Sequence, residues 1–497
     1  MNRKLTEALD EIRDKNIEEA EKPRKRRFYL IGTIAAILAL AVAWTAIWGD
    51  LGLPNPNRPT VQGGEHTPVT PGTLQSPHTL QLANLAATPV YPVMEKAPKQ
   101  EDYGDSDYYD AYFRWEQQRR QYYNQHRGYA DNLDRFFKQS IPQFLNGEEN
   151  STYSPLNVYL ALAMLAETTA GESRDQLLEL LGADSIEALQ TQAGHVWNAH
   201  YCDDGETTSL LANSLWLDDA FPFEKNTVNT LSDSYYASVF HGDLGTKTMD
   251  EQLHAWLNAQ TGGLLEEQVN GLEMDPATVF ALASTAYFSA GWENGFSESK
   301  TTEDVFHCKD FDLNTQFMHD TIAFGTYYWG KDFGAVRLPL SGNNTMWLIL
   351  PDEGKTVDEV LAGGEYWQMT QTPSDWKSQR EMTVNLSLPK FDISSQTDLI
   401  SGMKELGVTD IFDRHIADFT PLTPTNDLYV GKIDHAARVS IDEEGVTGAA
   451  YTVIMVEAGC APSLPAKEID FTLDRPFMFM VTRQYSLPMF TGVVAQP

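Results

Sequence analysis

The stretch "STYSPLNVYLALAMLAETTAGE", residues 151–172, carries apolar side chains on most sides of any helix drawn through its middle. A helix of that kind has no face to give to water, so it belongs in the centre of a fold with other elements packed all round it. Its ends are marked as well: Ser154 can cap, Pro155 suits the first helical position, and Gly171 is placed to close the helix. The chain that surrounds it must therefore be long and mixed in structure.

The rest of the sequence provides such surroundings. "DNLDRFFKQSIPQFL" puts Leu133, Phe136, Phe137, Ile141 and Phe144 on one helical face, interrupted by Pro142. "TMWLILP", "MTVNLSLPKFDI", "ARVSID", "PFMFMVT" and "PMFTGVV" read as strands, separated by helical stretches such as "DLISGMKELG". No repeat is visible, and the class is α+β with more strand in the second half. At 497 residues, 42% hydrophobic and 21% charged, the chain can bury a large core as one domain or two. Its 70 acidic against 36 basic residues, a net charge of -34, repel phosphate backbones and argue against nucleic-acid or heparin-like partners. Three cysteines, Cys202, Cys308 and Cys460, are too few and too scattered for a disulfide framework or a zinc site, and Cys202 and Cys308 read as packing residues.

The N-terminal part divides into segments. Residues 28–48, "FYLIGTIAAILALAVAWTAIW", hold no charge, and as a helix they span roughly 31 Å, the thickness of a bilayer's hydrocarbon core. Phe28, Tyr29, Trp44 and Trp48 fit interfacial belts, and "KPRKRR" abuts one end, which predicts a single-pass anchor with residues 1–27 in the cytoplasm and the remainder outside the cell membrane. A cleaved signal peptide is the competing reading, from Ala41 and Ala43, but the run is long for one. In the cytoplasmic part, Leu5, Ala8, Leu9 and Ile12 share a helical face. Residues 49–100 hold nine prolines and no periodicity, the composition of an extended, flexible extracellular stalk. Residues 101–130, aromatic and charged together, read as a helical lead-in to a main domain at 131–497.

Catalytic signatures are missing: no G-x-S-x-G, H-E-x-x-H, G-x-x-x-x-G-K-[ST] or C-x-x-C occurs, and the histidines lack metal-like spacing. Neither an enzyme nor a cofactor or metal is expected. Asp442, Glu443 and Glu444 lack the further oxygen ligands a cation needs. They introduce "EEGVTGAAYTVIMVEAGCAPSLP", residues 443–465, whose strand-like run bears one charge and no proline until Pro462. As a strand it collects Val446, Gly448, Ala450, Thr452, Ile454, Val456 and Ala458 on one face, all small or apolar, and Thr447, Ala449, Tyr451, Val453, Met455 and Glu457 on the other. The first face can be buried. Gly445 supplies torsional freedom at its start.

Five ordered blocks resemble the serpin family: "NSTYSPLNVYLALAMLAETTAGES", "LHAWLNAQTGGLLEE", "LASTAYFSAGWENGF", "LSLPKFDI" and "DFTLDRPFMFMV" with "LPMFTGVV". The resemblance covers about Asp131 to Pro497 and is that of a membrane-anchored, bacterial-type member. It implies three β-sheets, about nine helices, and an exposed reactive loop that a target protease cuts and that then inserts into the main sheet. By the family's spacing, Glu443, Glu444, Gly445, Val446, Thr447, Gly448, Ala449 and Ala450 would form the hinge, with Val446 and Gly448 departing from the usual threonine and alanine. The scissile bond would fall near Gly459–Cys460, within the range Glu457 to Ser463. Small residues there suit an elastase-like, subtilisin-like or papain-like protease, and a monomer without a heparin-type activator is expected. Lys390 resembles the salt-bridge partner of Glu443, Trp292 the tryptophan beneath the point where the sheet opens, and His435 the histidine at its centre. Asn157 and Ser284 stand in reversed order relative to the family's serine and asparagine there. The resemblance implies suicide-substrate inhibition of serine-type endopeptidases. A non-inhibitory member serving as an extracellular binding or adhesion module is the alternative, and an anchored hydrolase a distant third.

The charge asymmetry about residues 28–48 yields an outcome to measure. Protease added to intact cells is expected to release the main domain, whereas protection until lysis would reverse the assigned orientation.

Overall fold

The computed structural model describes residues 60–62, 85–103, 105–124, 130, 132–446, 467–483 and 486–497. The cytoplasmic and anchor segments, residues 49–59 and 63–84, the hinge from Thr447 onward and the Gly459–Cys460 bond lie outside them. Among the described residues no helix is long and apolar enough to cross a membrane.

The residues that position the site form an eight-stranded sheet. Its members include β1 (Thr207–Asp218), β2 (Phe280–Gly291), β3 (Phe391–Asp398), β4 (Asp434–Ile441) and the two-residue β5 (Gly445–Val446). The order across it is β3, β4, β5, β2, β1, then Ala237–Gly242 and Leu85–Ala87, with Cys202–Asp203 pairing on β1. On β4 the alternation reads directly as two faces: His435, Ala437, Val439 and Ile441 are buried, and the residues between them are half-buried.

Three helices matter here: α1 (Asp105–Asn124), α2 (Pro155–Thr168) and α3 (Lys247–Thr261). Every residue of α2 except Ala161 is buried, as the all-round apolar pattern predicts. Its ends differ from expectation. The Ser154 side chain makes no cap; its hydroxyl donates to the Met489 carbonyl at 2.7 Å, because the segment before α2 is itself locked into a strand, Ser151–Tyr153, beside Leu487–Val494. The helix stops at Thr168, and Gly171, at φ 55°, begins the next helix instead of ending this one. Pro142 lies inside the helix Asp134–Phe144, third from its end, where it removes one helical hydrogen bond, the one to the Lys138 carbonyl.

Two hydrogen-bonded sheets, not three, are present among the described residues. The long strand Asp312–Trp329 accounts for the difference. It pairs extensively with Gln379–Pro389 and Thr302–His307, and meets Phe333–Leu340 only at Gly334↔Trp329 and Ala335↔Tyr328, so two groups of strands fuse into one ten-stranded sheet. Eleven α-helices are described, against the nine or so implied by resemblance.

Composition also misses an ordered segment. Residues 85–100 read as proline-rich stalk, yet Leu85–Ala87 pairs with Phe240 and Val239, and Tyr91 is buried in an aromatic box with Trp197, Tyr201 and Tyr236. Tyrosine spacing alone carries no period that would reveal this.

Because Leu160 is 1% exposed in a helix with neighbours on every side, Leu160→Ala is expected to cost about 2–5 kcal/mol, read as a lowered thermal midpoint. Ala161→Ser, at the one half-buried position, should be nearly silent.

Candidate functional site at the opening of the main sheet

Val446 is the last described residue before a gap in the sheet. It pairs with Ile441 of β4 on one side and Ala290 of β2 on the other, and Gly445 pairs with Gly291. Below that point no ladder joins β2 to β4 among the described residues. A cavity of about 1080 Å³ occupies the region, lined by both strands, by α2 and α3, and by Val446 itself. Among the described residues, two strand edges thus stand apart in the middle of a sheet, above a helix buried at all but one position.

The chain reaches this gap through a tight acidic turn. One Asp442 carboxylate oxygen accepts from the N–H groups of Glu444 at 2.9 Å and Gly445 at 3.1 Å, and the Asp442 N–H donates to the Gly445 carbonyl. An Asx turn of this kind is written in the Asp-x-x-Gly spacing, the signal by which Asp442 could have been found as structural. Gly445 is required for a reason other than torsional freedom: a β-carbon there would lie 2.4 Å from the Ala290 carbonyl oxygen and 2.8 Å from the Gly291 α-carbon. Close approach of two backbone segments is what demands glycine.

Glu443 and Lys390 meet at 2.7 Å, and Thr301 donates to the other Glu443 oxygen at 2.7 Å. Partial burial pushes the Glu443 carboxyl upward, but the hydrogen bonds from Lys390 and Thr301 outweigh it and hold the group below the usual carboxylate range. Sequence reasoning missed Thr301; it lies on a turn whose position only the folded sheet defines. Trp292, 2% exposed, donates its indole N–H to the Asp442 carbonyl at 2.8 Å and stands edge-on to Phe296. The Trp292 and Phe296 backbone N–H groups donate to the Glu444 and Glu443 carbonyls. Glu443, Lys390 and Trp292 are therefore gathered around a single turn.

Deeper in the gap, the Ser284 hydroxyl donates to Asn157 Oδ1 at 2.5 Å, and Asn157 Nδ2 donates back to the Ser284 carbonyl at 3.2 Å. The reversed pair thus links α2 to β2. His435 is not bonded to either; its Nε2 accepts the Ser154 N–H at 3.0 Å, and its ring packs against the edge of Tyr153. Nε2 is consequently unprotonated, and burial lowers the imidazole to about 4. Thr447, Gly448, Ala449 and Ala450 lie outside the described residues. Among those described, no group of three His, Cys, Asp or Glu could hold a metal ion.

A divided sheet over a buried helix, with an acid-led segment at the top of the division, matches known proteins over most of the chain. The family model for serpins (serine protease inhibitors) matches residues 135–497, and the chain belongs to that family. It is 28% identical over 374 residues to alpha-1-antiproteinase 2 of Equus caballus, covering 73% of this chain and 85% of that protein. The thermophilic serpin tengpin in its native state superposes with a TM-score of 0.65 at 26% identity, over 74% of this chain and 93% of that one. Thyroxine-binding globulin in complex with thyroxine shares the fold, with a TM-score of 0.60 at 23% identity over 75% of this chain and 98% of that one.

The titration of His435 gives a pH dependence with a defined sign. The unfolded imidazole, near 6.5, binds its proton before the folded one, near 4, so the stability held above pH 6.5 is lost as pH falls toward 4. The full effect is on the order of 3 kcal/mol. In His435→Gln, whose amide oxygen can still accept the Ser154 N–H, the decline between pH 6.5 and 4 should be visibly shallower. An unchanged slope would mean that His435 does not titrate in this way.

Proposed function

We propose that the serpin domain is a suicide-substrate inhibitor of extracellular serine-type endopeptidases, displayed on the cell membrane by the 28–48 segment and without catalytic activity of its own. The observation that carries this reading is the gap below Val446, where, among the described residues, β2 and β4 each present an unladdered edge to a cavity already capped by Gly445 and Val446. A strand entering there would satisfy backbone donors and acceptors on both sides and bury its inward face against α2.

The observed pairing sets the register such a strand would take. Continuing from Val446↔Ala290 and Val446↔Ile441, Gly448 would face Phe288 and Val439, Ala450 Ala286 and Ala437, and Thr452 Ser284 and His435. The eleven residues from Val446 to Val456 would run the length of β2, which begins at Phe280. A bond beyond Val456 is consistent with that length, which supports the reading near Gly459–Cys460. Glu443, Glu444 and the residues to Ala450 act as the hinge. Trp292 and Lys390 hold its upper end, and Asn157, Ser284 and His435 line its path. The small residues at 458–461 favour an elastase-like, subtilisin-like or papain-like target.

The test is incubation of the purified chain with a panel of such proteases, scored by complexes that survive denaturing gels and by the number of inhibitor molecules consumed per protease inactivated. Gly448→Glu and Ala450→Arg would place an unpaired charge against the buried helix after insertion, at a cost of several kcal/mol, and should convert the inhibitor into a substrate cut at the same bond. Thr447→Glu and Ala449→Arg, on the outward face, should retain far more inhibition. Absence of stable complexes, with cleaved and uncut protein melting alike, would favour the binding-module alternative.

A further inference from the structure

Residues 85–124 precede the segment matched by the family, yet they are fastened to the top of the gap. On α1, Tyr108, Ala111, Tyr112, Trp115, Arg119 and Tyr122 form the inner face. Arg119, with a side chain only 12% exposed, reaches Asp204 Oδ2 at 2.8 Å through Nε and Glu206 Oε2 at 3.1 Å through Nη1. Tyr112 donates to the other Glu206 oxygen, and the guanidinium lies 5.0 Å from the centre of the Trp115 ring. Both carboxylates are themselves nearly buried, with side chains 3% and 9% exposed.

These carboxylates sit where β1 begins, and β1 leads to the gap. The second Asp204 oxygen accepts from the Glu206 and Thr207 N–H groups at 3.1 and 2.9 Å. The Glu206 carbonyl accepts the Ser341 hydroxyl at 2.9 Å, Thr207 Oγ1 donates to the Ser341 carbonyl at 3.0 Å, and the Ser341 N–H donates to the Gly291 carbonyl at 2.9 Å. Thr207 pairs with Ala290, the partner of Val446, and Gly291 is the partner of Gly445. At Gly342, φ 79°, a β-carbon would lie 2.3 Å from Thr207 Oγ1 and 2.4 Å from Arg119 Nη2, so the turn closes directly on the arginine. Without the cation, two buried carboxylates would face each other with no opposing charge, and repulsion would move the end of β1, the Ser341 turn and the top of β2 together.

We propose that Arg119 is a positioning residue for loop insertion: by neutralising Asp204 and Glu206 it holds Ala290 and Gly291 in the register that receives the first residues of the incoming strand. This rests on the inhibitor reading above. It assigns residues 85–124 a part in that reaction, so the working unit begins near Leu85 and not at the family boundary.

The experiment uses the full chain in detergent, cut in the loop with thermolysin, a metalloprotease that forms no acyl-enzyme, and checked by mass for cleavage between Glu457 and Ser463. Samples quenched over time are scored for resistance to a temperature that melts the uncut protein, which reports insertion without a target protease. Arg119→Gln is expected to lengthen the half-time about tenfold, the scale of coupling between contacting residues. Arg119→Lys should recover part of the rate, and Arg119→Gln with Asp204→Asn and Glu206→Gln should recover most of it, since the repulsion is gone. Arg120→Gln, the same substitution on the exposed face of α1, loses only the pair with Glu116 and should stay near wild type. Should Arg119→Gln fail to fold, Arg119→Lys and the charge-free triple variant carry the comparison. Wild-type half-times in the Arg119 variants, or equal slowing in Arg120→Gln, overturn the inference alone. A wild-type chain that gains no heat resistance on cleavage overturns the insertion reading and this inference with it.

Discussion

Backbone hydrogen bonding at the centre of a sheet is the constraint on which this structure turns. Interior strands ordinarily satisfy both edges, and buried donors and acceptors left without partners are costly. Among the described residues β2 and β4 are joined only through Gly445 and Val446, and the strands separate over a cavity. The surrounding features make that separation tolerable. α2 is apolar nearly all round and supports both edges from below, while the Asn157–Ser284 pair ties β2 to it and the Ser154–His435 bond ties β4 to it.

The upper end of the gap is built from backbone more than from side chains. Carbonyls of Asp442, Glu443 and Glu444 accept donors from Trp292 and Phe296, so three consecutive residues are fixed from one side. The Glu443 carboxylate, paired with Lys390 and Thr301, fixes them from the other. Gly445 then passes so close to Ala290 and Gly291 that no side chain fits. The extension at 85–124 braces the same region through Asp204, Glu206 and Ser341. Support on both sides thus fixes the two-residue closure between β2 and β4.

Much of the fold was legible because its signals are local or periodic. The central helix announced itself by lacking a polar face, and the strands Asn344–Pro351, Gln379–Pro389, Asp434–Ile441, Phe477–Arg483 and Leu487–Val494 lie where β-rich runs predict them. Resemblance brought Glu443, Lys390 and Trp292 together on paper, and the turn at Asp442 gathers them in space. Thr301 and Arg119 stayed hidden, since neither stands in a pattern of its own; each matters through a partner 142 or 87 positions away. The fusion of two strand groups into one sheet rests on two residue pairs, too little to read from any window of sequence.

By itself the sequence determined the burial of α2, the α+β class, the acidic surface charge and the alternation of small residues after Val446, because side-chain polarity at a fixed period decides which faces can leave water. Tertiary structure alone decided that Gly445 is needed for close approach, that His435 bonds to Ser154 and not to Asn157 or Ser284, that Ser154 serves the sheet instead of capping α2, and that residues 85–124 belong to the domain. Those outcomes depend on distances between segments far apart in the chain, and polarity patterns carry no information about which distant backbone will arrive within hydrogen-bonding reach.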